Sequence, residues 1–326
     1  MTEHSILLTR VLVPEAMAAL EGTCALDLYN GPPTAIPRDE LLRRAKGKDG
    51  LLTLLTERVD AELLDAAGPQ LKIVANYAVG FDNIDVPECT KRGILVTNTP
   101  DVLTEATADL AWSLILAAVR RVPEGDRFLR TRQEWIWDPR MMLGQDLYGK
   151  TIGIVGCGRI GQAAARRAIG FGMRVIYSDA QRLPAEVEKE IRGEYTTFEK
   201  LVAEADVISV HAPLTPDTRH LFNAEVFRAM KPSAVLVNTA RGPIVDEAAL
   251  AEALRAGEIF GAGLDVFERE PLVEEALLDI ESATIVPHLG SATVQTRAAM
   301  GLLAVENVLA GVAGTRPRTL LNPEVL

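Results

Sequence analysis

The sequence predicts an α/β chain made of two doubly wound parallel-sheet domains, and three observations predict it. Short apolar runs alternate with helix-period patterns through the first hundred residues. A second alternating series begins at Thr151 and counts six strands. Between them, after the breaker Asn98-Thr99-Pro100, runs a long apolar helix pattern. Strands separated by helices pair in parallel, because the helix supplies the crossover that a parallel neighbour needs. A length of 326 residues gives each of two domains enough chain to bury a core.

In the first series the expected strands are Ile6–Leu8, Ala25–Tyr29, Gly50–Leu54, Leu71–Ala75 and Ile94–Val96. Pro14–Leu20, Arg38–Ala45 and Asp60–Ala66 carry the helical spacing between them. The middle helix, about Val102–Val122, is too apolar for a lone amphipathic helix, so burial between domains or against a second subunit is expected. Arg127 to Lys150 reads as a loop holding Trp135 and Trp137. The second series places strands at Thr151–Val155, Arg174–Ser178, Val207–His211, Ala234–Asn238, Gly261–Val266 and Thr284–Val286. Helices start at Gly158, Thr197, Asn223 and Asp246, the last two being good N-caps. After Pro287 a helix at about Thr293–Ala310 precedes an irregular tail.

Composition narrows the function. A formal charge of −11 argues against a polyanion partner such as nucleic acid. A small anionic substrate then requires a local cationic clamp. Cys24, Cys89 and Cys157 are widely spaced without a CxxC pair, which fits a reducing cytoplasm better than a disulfide framework or a structural zinc site. The opening residues show no secretory signal, and no stretch reaches the roughly 20 apolar residues of a membrane span.

Gly156-Cys157-Gly158-Arg159-Ile160-Gly161 is a GxGxxG directly after an apolar strand and opening a helix. Asp179 follows Gly161 by 18 residues, at the end of the next strand. Gly156 permits a tight turn, Gly158 lets a pyrophosphate approach the backbone, and Gly161 lets the helix pack closely. The helix N-terminus then faces the phosphates. Six strands, helices between them and this fingerprint describe a Rossmann domain. Asp179 should accept hydrogen bonds from ribose hydroxyls and repel a 2′-phosphate, so NAD(H) is expected over NADP(H). Arg182, three residues on, works against that preference.

In an open parallel sheet the carboxyl ends of the strands line the ligand crevice. His211-Ala212-Pro213 ends one strand, with His211 structural or beside the cofactor. Asn238-Thr239-Ala240-Arg241-Gly242 ends a second. Asp265-Val266-Phe267-Glu268-Arg269-Glu270-Pro271 ends a third, and Pro287-His288-Leu289-Gly290 a fourth. His4 lies in the terminus, His220 reads as a surface or helix-entry residue, and Glu268 and Arg269 read as surface positions.

Taken in this order, these motifs resemble the D-isomer-specific 2-hydroxyacid dehydrogenase family over nearly the whole chain. The resemblance implies a flavodoxin-like substrate domain and a Rossmann cofactor domain with a cleft between them. It implies Arg241, Glu270 and His288 as the catalytic set. His288 would donate a proton to the carbonyl oxygen as hydride reaches C2, with Glu270 fixing its tautomer, and Arg241 would grip the substrate carboxylate. Cofactor contacts would come from Thr107, Gly156, Gly158, Arg159, Ile160, Gly161, Asp179, His211, Ala212, Pro213, Thr239, Ala240, Asp265 and Gly290. Asp265 would meet the nicotinamide carboxamide, or else serve as a turn residue; Thr107 has the alternative of an ordinary helix threonine. In Tyr77-Ala78-Val79-Gly80-Phe81-Asp82, Val79 and Gly80 would offer backbone amides to the substrate, with a plain turn as the alternative for Gly80.

The stretch Asp101–Trp112 and the Trp135-x-Trp137-x-Pro139 loop look like the glyoxylate/hydroxypyruvate reductase branch, where Trp137 would border a partner subunit's pocket; Trp135 and Trp137 have the equal alternative of core or dimer-contact anchors. The substrate expected is therefore a small 2-oxo acid, glyoxylate or hydroxypyruvate first, and the assembly a cytoplasmic homodimer without metal, nucleic-acid or membrane partners. D-3-phosphoglycerate or D-lactate dehydrogenase of the same family stays open, as does a non-catalytic NAD-sensing interaction protein. Against the first, the chain ends at Leu326 without room for a regulatory extension. Formate dehydrogenases resemble this fold but carry glutamine where Glu270 stands. The expected boundaries are 1–99 plus 288–326 for the substrate domain and 100–287 for the cofactor domain, with hinges near Asn98–Pro100 and Pro287–Ser291.

Overall fold

The computed structural model describes residues 4–32 and 34–326. The chain divides into two compact units, one of Met1–Leu103 with Ala292–Leu326 and one of Thr104–Ser291. Strands and helices of the first unit alternate as β1 (Ser5–Leu8), α1 (Pro14–Leu20), β2 (Ala25–Leu28), α2 (Arg38–Ala45), β3 (Gly50–Thr53), α3 (Ala61–Ala67), β4 (Ile73–Asn76), α4 (Val86–Lys91) and β5 (Leu95–Thr97). They form a parallel sheet in the order β2-β1-β3-β4-β5, the flavodoxin-like winding. Central strands β3 and β4 are buried along their whole length, which is why they read as unbroken apolar runs. Helix α4 carries too few apolar residues to show a period; its cap is Asp85, which accepts the Glu88 amide.

The second unit opens with α5 (Thr104–Val119) and α6 (Val122–Arg130). It continues as β6 (Thr151–Val155), α7 (Arg159–Gly170), β7 (Arg174–Ser178), α8 (Ala185–Ile191), β8 (Gly193–Tyr195), α9 (Phe198–Glu204), β9 (Val207–Val210), α10 (Ala224–Ala229), β10 (Val235–Asn238), α11 (Glu247–Ala256), β11 (Gly261–Leu264), α12 (Glu275–Leu278) and β12 (Ala283–Ile285). Among the described residues its parallel sheet has seven strands, β12-β11-β10-β9-β6-β7-β8, not the six expected. The extra strand, β8, is the short edge Gly-Glu-Tyr, which has no apolar run to announce it. Winding outward to β8 and returning at β9 puts the topological switch between β6 and β9.

The expected span of the middle helix is corrected. Arg121 adopts a left-handed backbone, φ 54°, and Pro123 cannot donate an amide, so the helix stops at Val119 and restarts at Val122. The loop expected from Arg127 therefore begins after Arg130. The apolar surface of α5 is also used within its own unit, where it packs on α7 and on β10, β11 and β12. Trp112 stacks on Phe171 at 4.3 Å and donates its indole N–H to the Ala164 carbonyl at 2.9 Å.

The last helix, α13 (Val294–Val312), returns to the first unit and packs against α1, β3 and β4. Thr293 caps it by accepting the Thr296 amide at 3.1 Å. Among the described residues no helix is long and apolar enough to cross a membrane.

Candidate active site

At the switch between β6 and β9 the glycine fingerprint has the geometry its spacing predicts. Gly156 has φ +84°, and a Cβ there would stand 2.4 Å from the Ala212 nitrogen; at Gly161 it would meet the Gly156 carbonyl at 2.3 Å. At Gly158 a Cβ would meet nothing within 4 Å. Two of the glycines are thus demanded by protein neighbours, and the third faces open space. Helix α7 starts there without a side-chain cap, which leaves amide donors for an anion. Arg159 and Ile160 form its first turn. The Cys157 amide donates to the Asp179 carboxylate at 2.6 Å, which aims that acid at the same corner. Burial pushes the Cys157 thiol up to about 12 and leaves it inert.

On the β9 side, His211 takes its place through its amide, which donates to the Val155 carbonyl at 2.7 Å, and through a 2.9 Å bond between Nε2 and Ser209 Oγ. Burial pushes its imidazole down to about 4, so it is neutral at physiological pH. Ala212 is buried and Pro213 exposed beside it. These residues fit a dinucleotide: a close backbone approach, an uncapped helix start and an acid at the next strand end.

The remaining strand ends bring the predicted trio together. His288 has φ +52°, a conformation held by its amide bonding the Asp265 carbonyl at 2.9 Å. Its Nδ1 lies 2.9 Å from Glu270 Oε2, and Glu270 Oε1 accepts the Phe267 amide at 3.1 Å. Burial alone would raise the Glu270 carboxyl. The bond and charge of His288, the Phe267 amide and the charge of Arg241 outweigh it and hold the group below the ordinary carboxylate range. Arg241 is anchored by Nη1 donating to the Ala240 carbonyl at 2.7 Å. Asn238 shapes that turn from both sides, its Nδ2 donating to the Arg241 carbonyl and its Oδ1 accepting the Ala240 amide.

Asp265 is buried under the histidine loop and accepts the Leu289 and Gly290 amides. Burial is the larger influence on its carboxyl and pushes it up. Thr107 joins the same loop by donating to the Gly290 carbonyl at 3.2 Å. Thr239, next to the arginine, has a buried hydroxyl without a protein partner among the described residues.

Glu268 is not the solvated surface residue expected, and His220 is its partner. Glu268 Oε2 lies 2.8 Å from His220 Nε2, and its other oxygen accepts the Glu247 amide that starts α11. Glu247 in turn accepts the amides of Glu268 and Glu274. Strand-end acids read as solvated because the chain alone does not show that the α11 N-terminus lies opposite them. Arg269 is exposed, as expected. Gly242 completes this arrangement: a Cβ would fall 1.9 Å from the Phe267 carbonyl carbon, so only glycine lets the arginine turn lie on the loop carrying Glu270. The signals for Asn238 and Gly242 were present in sequence as an Asx turn and a glycine after the strand.

In the first unit, the Val79 carbonyl accepts from Asn98 Nδ2 at 2.8 Å and the Gly80 carbonyl from Asn76 Nδ2 at 2.9 Å. These asparagines, of which Asn98 was expected only as a breaker and hinge, fix the backbone of the proposed carboxylate loop. Trp137 is 79% exposed on the irregular stretch after α6. Its own unit does not fold it over the trio.

The NAD-binding-domain model of the D-isomer-specific 2-hydroxyacid dehydrogenases matches residues 112–290. A curated glyoxylate reductase from Thermococcus onnurineus is 53% identical over 296 residues, covering 89% of this chain and 88% of its own. The crystal structure of a glyoxylate reductase from Paecilomyes thermophila is 34% identical with a TM-score of 0.88, covering 99% of both chains. That of an NADPH-dependent glyoxylate/hydroxypyruvate reductase from Sinorhizobium meliloti is 36% identical with a TM-score of 0.82, covering 98% of this chain and 99% of its own. The chain belongs to the D-isomer-specific 2-hydroxyacid dehydrogenase family and is an NAD-binding oxidoreductase of that family.

Proposed function

We propose that this chain reduces a small 2-oxo acid, glyoxylate or hydroxypyruvate, to the D-2-hydroxy acid, with NADH preferred to NADPH. The observation that carries the reading is the 2.9 Å bond between His288 Nδ1 and Glu270 Oε2, beside an arginine whose charge reaches the glutamate. The bond directs Nδ1 to the carboxylate and leaves Nε2 as the proton-donating atom. Arg241 binds the substrate carboxylate through its planar fork and polarises the carbonyl. Val79 and Gly80 add backbone amides to the same carboxylate. When bound, the nicotinamide supplies the hydride that arrives at C2. His288 then delivers its proton to the carbonyl oxygen, and Glu270 stabilises the imidazolium before transfer. Relatives named as glyoxylate reductases at about half identity support the substrate class.

The preference for NADH rests on Asp179, whose carboxylate accepts ribose hydroxyls and repels a 2′-phosphate. Thr239, Ala240, Asp265, Gly290 and Thr107 complete the nicotinamide end. Exposed Trp135, Ile136 and Trp137 favour a homodimer. Three buried free thiols suit a reducing cytoplasm.

The test follows NADH and NADPH oxidation by absorbance with glyoxylate, hydroxypyruvate, pyruvate and phosphohydroxypyruvate in parallel, for the wild type and His288→Ala. NADH-linked turnover of the first two, lost in the variant, is the expected result. A preference for pyruvate or phosphohydroxypyruvate would instead assign the chain to D-lactate or D-3-phosphoglycerate dehydrogenase chemistry.

A further inference from the structure

Three residues beyond Asp179 stands a cation in the wrong place for an NADH-preferring enzyme. Arg182 is 67% exposed and belongs to the same loop, so it could serve a 2′-phosphate. It is already occupied. Its Nε donates to Glu188 Oε1 at 2.9 Å and its Nη2 to Glu188 Oε2 at 3.0 Å, a bidentate pair. An exposed ion pair would constrain the arginine weakly. Glu188 is different, because its side chain is only 13% exposed and is held from beneath. The fully buried Tyr177 of β7 donates its hydroxyl to Glu188 Oε1 at 2.6 Å and accepts the Leu183 amide at 2.9 Å. One tyrosine therefore fixes both the carboxylate and the loop segment next to the arginine. Nothing in the mechanism above uses Glu188 or Tyr177.

We propose that Glu188 determines cofactor specificity, by holding Arg182 in a carboxylate fork. The single guanidinium between Asp179 and Glu188 in the chain is then already committed to Glu188. Removing the charge of Glu188 frees Arg182 to meet a 2′-phosphate or to neutralise Asp179. Both results favour NADPH, so the inference does not depend on which way the arginine turns. It rests on the NADH preference proposed above.

The experiment titrates wild type, Glu188→Gln, Glu188→Asp, Arg182→Gln and the Glu188→Gln/Arg182→Gln double variant with NADH and NADPH by nucleotide fluorescence. Steady-state kinetics with both cofactors run alongside. Glutamine keeps an acceptor for Tyr177 and loses the charge; aspartate keeps the charge. Expected are a ratio of NADPH to NADH affinity raised about tenfold in Glu188→Gln, a ratio near wild type in Glu188→Asp, and loss of the gain in the double variant. A Glu188→Gln ratio within about twofold of wild type, or a gain that survives Arg182→Gln, would overturn the inference while leaving an NADH-preferring wild type intact. A wild type that itself binds NADPH more tightly would overturn the cofactor reading, and the latch with it. Binding is read directly, so a variant that loses turnover still gives an answer.

Discussion

At the scale of single residues the site depends on charge placed where burial opposes it. Glu270 is ionised below the ordinary carboxylate range because His288, the Phe267 amide and Arg241 outweigh desolvation. A depressed carboxylate contributes stability that is complete above its unfolded value and is lost as pH falls through the folded one. Glu270→Gln removes the anion that favours the imidazolium. With the charged partner of Nδ1 gone, kcat for 2-oxo acid reduction should fall roughly tenfold or more. A kcat near wild type in steady-state assays would show that Glu270 does not act through His288. His288→Ala should lower kcat by about 10²–10⁴ while circular dichroism stays native. His211 works in the opposite sense. Its imidazole is pushed from 6.5 to about 4, so the unfolded chain takes up a proton before the folded one. Wild-type stability should fall by ~3 kcal/mol between those two values, and His211→Asn should remove most of that fall. Urea midpoints measured across the interval decide it.

Elements act here by holding loops against one another at strand ends. Helix α11 begins at the amide that Glu268 accepts, and Glu247 of the same turn returns the bond to the Glu268 amide. The arginine turn lies flat on this arrangement at Gly242. In Gly242→Ala the new methyl would overlap the Phe267 carbonyl, which is backbone and cannot rotate aside. The expected loss is about 1–3 kcal/mol of stability, with a larger proportional loss of kcat than of cofactor affinity, because Arg241 and Glu270 are carried on the two displaced loops. Chemical denaturation together with NADH titration separates the two. Native stability with normal kcat would mean the loops can part without consequence for the trio.

For the whole molecule, the informative surface is the irregular stretch after α6. Trp135, Ile136, Trp137, Leu143 and Tyr148 are all exposed there, and apolar groups at this density on one segment mark an interaction surface more often than an ordinary face. A homodimer of the 35.3 kDa chain should be seen by light scattering at micromolar concentration. Replacing Ile136 and Trp137 with serine should weaken it. A monomeric wild type would end the assignment of that surface to a second copy.

What the sequence determined by itself was whatever is written in local pattern. Apolar runs and their spacing located eleven of the strands to within about two residues, since a strand buried on both faces must be apolar throughout. Thr197, Asn223 and Asp246 named helix starts because a side-chain oxygen at a cap serves its own chain. The fingerprint glycines and the four strand-end motifs were legible for the same reason. Tertiary structure decided what depends on distant residues. Edge strand β8 forms because β7 is there to pair with it, and α5 is covered by its own sheet. Glu268 is bound by α11, and Glu188 is pinned by a tyrosine from β7. These contacts join positions 11 or more residues apart, and no local period or spacing encodes them.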